Sequence, residues 1–179
     1  MPQLEVLQMR HSEVASDTAI AITTHLKKLR VLDLKGSHIK LMRNFPNQYI
    51  EERNNSTHAN AAVDNAAQFF ASLTRECADL KELELSACSG ITRAAAAAIV
   101  QSYSLQFLGM ELCLGITPEA FALMGSNMVQ LEGLDLSGCT RTTNVDVQNV
   151  AKLESLTYLN ISDCKQLSNK GCLALADMP

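Results

Sequence analysis

Apolar residues return along this chain in two alternating rhythms, a short run with period two and a longer run with period near 3.6. The short run opens six times on a leucine, in the form L-x-x-L-x-(L/I/M), at Leu4, Leu29, Leu80, Leu105, Leu131 and Leu156. The steps between openings are 25, 51, 25, 26 and 25 residues, so the one long step is two beats. Side chains alternate across a strand, which puts places four and six of each copy on one face. Burying each such leucine stabilises the fold by roughly 1.5–3 kcal/mol. The period then lengthens. Within Thr117–Val129 the residues Ala120, Phe121, Leu123, Met124 and Met128 make an apolar helical stripe. Helix starts are expected at Asp17 or Thr18, at Thr92 and at Thr117, with Pro118 in a first helical position. Each beat therefore predicts strand, turn and helix, a unit that cannot bury its apolar face without a neighbour. Parallel stacking lines the strands along an inner face and the bulkier helices along an outer one. The expected fold is an α/β solenoid, a horseshoe segment with parallel strands on the concave face and helices on the convex face.

The last four copies read LKELELSACSGIT, LQFLGMELCLGIT, LEGLDLSGCTRTT and LTYLNISDCKQLS. Place nine holds Cys88, Cys113, Cys139 and Cys164, where the first two copies have Ser12 and Ser37. With these motifs the chain resembles the leucine-rich repeat family, in its cysteine-containing subtype, over nearly its whole length. That resemblance implies a non-catalytic protein-protein interaction module. It is consistent with a scaffold or with the substrate-recognition part of an F-box/LRR ubiquitin-ligase-like receptor. The alternatives are a GTPase-activating or other enzyme-regulating repeat protein, and a structural spacer in a cytoskeletal, flagellar or mitochondrial assembly.

The cysteines could suggest disulfides, but their phase argues otherwise. Equivalent thiols on adjacent strands, ~4.8 Å apart, point in parallel rather than at one another. A ladder of one thiol per beat also cannot converge four ligands on a metal. The expected role is a small buried side chain whose S–H donates to a turn carbonyl, a bond Ser12 and Ser37 can also make. Buried reduced thiols, and a start without a charged-then-apolar leader, give the expectation of a cytoplasmic protein; nuclear or flagellar settings fit as well.

Charge and composition narrow the classes further. The 179 residues carry a net charge of −4, so phosphate neutralisation has no excess of basic groups and nucleic acid is not expected. No run of apolar residues is long enough for a membrane span. No phosphate loop, nucleophile elbow or metalloprotease motif occurs, and His11, His25, His38 and His58 have no acid or nucleophile at a telling spacing. The expectation is no enzyme, no cofactor, no metal and no small-molecule substrate. The Asn54 and Asn55 sequons, and Asn160 in a predicted strand, read as accidental.

Residues 42–63, rich in Asn and containing Pro46, read as an insertion between strand and helix of the second repeat. Phe45, Tyr49 and Ile50 are its candidate contacts with a partner. Residues 1–179 otherwise form a single domain. Met1-Pro2 and Met178-Pro179 fall at the same phase of the beat, so a segment of a longer protein is expected.

Alternation also places the outward-facing positions. Place three gives Val6, Val31, Glu82, Phe107, Gly133 and Tyr158; place five gives Gln8, Asp33, Glu84, Gly109, Asp135 and Asn160; place seven gives Arg10, Lys35, Ser86, Glu111, Ser137 and Ser162. The middle is acidic and the N-terminal edge, with Arg10 and Lys35, is basic, a separation that can orient a partner. Phe107 and Tyr158 are large aromatics where the fold asks for none. The candidate partner-binding residues are Glu82, Glu84, Phe107, Glu111, Asp135, Tyr158 and Asn160.

Overall fold

The computed structural model describes residues 3–41 and 64–176. Strands β1 (Val6–Gln8), β3 (Val31–Asp33), β5 (Glu82–Glu84), β6 (Phe107–Gly109), β7 (Gly133–Asp135) and β8 (Tyr158–Asn160) form one six-stranded sheet in that order. Every adjacent pair is parallel, and place three always meets place three. Strand β3 pairs directly with β5, so the long step in the beat adds no rung to this sheet. The insertion at 42–63, with Phe45, Tyr49 and Ile50, lies outside the described residues.

Helices α1 (Ser16–His25), α2 (Asn65–Glu76), α3 (Arg93–Ile99), α4 (Pro118–Asn127), α5 (Asn144–Val150) and α6 (Asn169–Ala176) follow the strands in turn. Thr92 and Thr117 accept from the third backbone amides of α3 and α4, as residues with cap-forming hydroxyls should. Thr143 and Asp146 add a reciprocal capping box on α5. The first helix departs from expectation. Its cap is Ala15 rather than Asp17 or Thr18, because a short strand β2 (Glu13–Ala15) runs straight into the helix. Asp17 instead sits in the first turn, where its charge complements the helix dipole. Strand β2 pairs in parallel with β4 (His38–Lys40), a second small sheet at places ten to twelve.

The core is a stack of aliphatic layers. Leu32, Leu83, Leu108 and Leu134 at place four, and Leu34, Leu85, Met110 and Leu136 at place six, are fully buried. Their equivalents in the outermost described repeats, Leu7 and Leu159, are half-buried because each has a neighbour on one side only. On α4 the stripe buries Ala120, Phe121 and Met124, while Leu123 turns outward. On α3, Ala95 and Ala96 are buried and thin the helix where it packs beside the bulky Phe69 and Phe70 of α2.

All six cysteines are free thiols. The ladder thiols donate to turn carbonyls as expected, and the turn in each case is that of the preceding repeat. Cys88 donates to Leu34 O, Cys113 to Leu85 O, Cys139 to Met110 O and Cys164 to Leu136 O, at 2.8, 3.3, 3.2 and 3.2 Å. Each acceptor is the place-six carbonyl of the preceding repeat. Ser37 makes the same bond to Met9 O at 2.7 Å, so a hydroxyl serves in the thiol's place. Burial pushes Cys88 up to about 11 and Cys113 and Cys139 up to about 12, well above an ordinary thiol.

Just before each thiol or hydroxyl, place eight adopts the left-handed conformation in all six repeats: His11, Gly36, Ala87, Leu112, Gly138 and Asp163, with φ of 53–69°. Only two of these are glycine, so the turn holds four L-residues in a region that costs each of them roughly 1 kcal/mol.

Candidate functional site

The outward row of the sheet is built by backbone alternation, and its side chains are then arranged by their neighbours. At place five the acidic or amide group turns back on its own strand end. The place-seven amides of Lys35, Ser86, Ser137 and Ser162 donate to Asp33, Glu84, Asp135 and Asn160 at 3.1, 2.8, 2.8 and 3.1 Å. This satisfies a donor left free where the strand ends. In the fourth repeat place five is Gly109, and the Glu111 amide donates to Ser86 Oγ instead, at 3.1 Å. Glu84, Asp135 and Asn160, expected as free contact groups, are therefore also turn caps.

Two glycines give space that adjacent side chains fill. A Cβ at Gly109 would collide with the Glu84 carboxylate, and one at Gly133 would meet Phe107 Cδ2 at 2.6 Å. The Glu84 carboxylate thus lies over the next strand. The Phe107 ring lies over Gly133 toward Tyr158, their centroids 6.5 Å apart and their planes tilted by 34°. Tyr158 keeps 49% of its surface exposed, and Val6 at the far end of the same row keeps 51%.

The charges are not separated as expected. Arg10 Nε donates to the buried Asp33 at 2.6 Å, and Lys35 reaches past the third repeat to donate to Glu111 at 3.2 Å. The reason is reach: the Lys35 and Glu111 side chains lean toward each other and together bridge two strand spacings. The hydrogen bond to Glu111, then the charges of Glu111, Glu84 and Asp135, hold the Lys35 ammonium above the usual lysine range. Asn160 Nδ2 donates to Asp135 at 3.0 Å. Glu82, Glu84 and Asp135 have no lysine or arginine in ion-pair reach among the described residues. Among the described residues no group of three or more His, Cys, Asp or Glu could hold a metal ion, and no helix is long and apolar enough to cross a membrane. Gly109 and Gly133 were the sequence signal for this arrangement: small residues in a row of large ones mark where neighbours lean.

Residues 152–176, which include strand β8 and helix α6, match the family model described as Leucine Rich repeat. No curated protein matches the sequence. Among solved structures, an internalin of Listeria monocytogenes is similar at a TM-score of 0.51 and 16% identity, covering 92% of this chain and 36% of that one. The yeast complex of Rad7 and Elc1 is similar at a TM-score of 0.37 and 14% identity, covering 99% of this chain and 55% of that one. The chain spans about a third of the first structure's length and about half of the second's. Parallel strands alternating with helices at the repeat's period, together with the family-model match and the internalin likeness, define a leucine-rich repeat fold.

Proposed function

We propose that this chain is a non-catalytic protein-docking module that holds its partner on the outward face of the parallel sheet. One observation carries the reading. The Phe107–Tyr158 step is left partly exposed beside Glu82, Glu84 and Asp135, which have no lysine or arginine in ion-pair reach among the described residues, on a face whose apolar side already makes the core. The fold needs nothing from Tyr158, whereas half-exposed aromatics beside charges are a common form of binding hot spot. The thiol ladder supports reading the repeats as the cysteine-containing subtype. On that basis the module is a scaffold or the substrate-reading part of a larger ligase-like receptor. The buried thiols left free of disulfides fit a reducing, cytoplasmic setting. Glu82, Glu84, Phe107, Glu111, Asp135, Tyr158 and Asn160 are the proposed contact residues.

Site-specific photo-crosslinking in cells tests this directly. A benzophenone amino acid replaces Ser137 on the sheet face in one variant and Val145, exposed on α5, in another. A protein adduct from position 137 and none from 145 is the expected result. Adducts from 145 alone would make the helices the contacting surface and the chain a spacer.

A further inference from the structure

The outward rows contain five carboxylates, Glu82, Asp33, Glu84, Asp135 and Glu111, and two bases, Arg10 and Lys35. Both bases are already taken, Arg10 by Asp33 and Lys35 by Glu111. What remains on this face is the negative charge of Glu82, Glu84 and Asp135, without a described cation to balance it.

Two of these carboxylates are brought together by the fold. Glu84 lies over Gly109, and Gly109 is the register partner of Asp135. The Glu84 carboxylate therefore lies over the strand next to that of Asp135, whose backbone is one strand spacing, ~4.8 Å, further on. One row away along the same strands the Phe107 ring covers Gly133 and meets Tyr158. The distance between those rows is two residues of strand, ~7 Å, which matches the aliphatic stem of an arginine. A planar guanidinium has donors enough to bridge two carboxylates at once, while its stem and face pack on aromatic rings.

We propose that the occupant of this face is a basic segment of a partner protein, seated with an arginine guanidinium between the Glu84 and Asp135 carboxylates and its stem across the Phe107–Tyr158 rings. This deepens the sheet-face reading above and rests on it. Lys35 sits at the margin as an internal competitor: its ammonium already feels Glu84 and Asp135 as well as Glu111. Fork geometry favours arginine over lysine in the partner, because the two carboxylates stand side by side rather than around a point.

The test is selection of peptides from a random displayed library on the full chain, followed by fluorescence anisotropy with the peptide that dominates. Selected peptides should be enriched in arginine. Replacing the key arginine by citrulline, or making Glu84→Gln with Asp135→Asn, should each weaken binding by ~10-fold or more. These substitutions keep the fold, because an amide already caps the turn at Asn160; melting curves verify it. Glu154→Gln, an exposed change away from the face, should leave the affinity unaltered. Neutral or acidic peptides that are lost on Tyr158→Ala would overturn the basic partner and leave sheet-face docking standing. Peptides indifferent to Tyr158→Ala and to both charge changes would overturn both. A library that yields no binder counts against the basic segment, while the crosslinking result decides the broader reading on its own.

Discussion

Raising the pH should loosen this protein through its cysteines, and the size of the effect follows from their burial. A free thiol ionises near 9.0, while the folded chain pushes Cys77 and Cys88 up to about 11 and Cys113 and Cys139 up to about 12. Desolvation of the thiolate is the main cause for each. Because the folded value is raised, this stability is complete below the unfolded value. It falls as the pH climbs from there toward the folded one, since only the unfolded chain then releases the proton. Between about pH 7.5 and about pH 9.5 the loss is about 1 kcal/mol per thiol, or about 3 kcal/mol for the four together. Lysines and tyrosines contribute too, so the clean measurement is a difference. Urea unfolding of the wild type and of Cys139→Ser is followed by circular dichroism at both pH values, with a reductant present. At the lower pH the variant should be weaker by about 1 kcal/mol or less, because serine makes the same bond at Ser37. At the higher pH the gap should narrow, or reverse, by about 1 kcal/mol. A gap that stays constant would mean that Cys139 is not desolvated in the folded state, and the ladder as described would be wrong.

Four further outcomes follow from the geometry. Gly90→Ala should cost about 2 kcal/mol or more in thermal or urea unfolding, because φ is +89° and the added Cβ meets Ile39 O. Ala87→Gly should stabilise by about 0.5 kcal/mol, the relief of a left-handed alanine less the entropy glycine adds to the unfolded chain. Thr92→Ala should lose about 1 kcal/mol of stability with the cap on α3. Lys35→Gln should change stability by well under 1 kcal/mol, since both partners are partly exposed, yet raise affinity for an arginine peptide in the anisotropy assay, more so at low salt.

The repeat was legible because its signals are local and redundant. Six phased leucine motifs place the strands, and the threonines before α3 and α4 place their helix starts. What escaped was set by contacts between repeats. Ala87 and Leu112 carry nothing in their identity that announces a left-handed turn, and His11 and Asp163 carry only the weak enrichment of their residue types there. Strands β2 and β4 form because Val14 and Ile39 pack into the core while their backbones pair, a tertiary effect on residues outside the six-place leucine motif. On the outward face, alternation gave the right rows but not the direction in which long side chains lean. Lys35 looked like an edge charge because reach across two strands is invisible to spacing. Phe107 and Tyr158 were singled out separately, and only the emptiness at Gly133 brings their rings together.

Those missing side chains at Gly109 and Gly133 have a use for anyone wishing to alter selectivity. An alanine at either position touches no partner, yet it evicts a neighbour: the carboxylate of Glu84 in one case, the ring of Phe107 in the other. A single methyl group beneath the surface would thus redraw the contour above it, leaving every group that makes contact chemically unchanged.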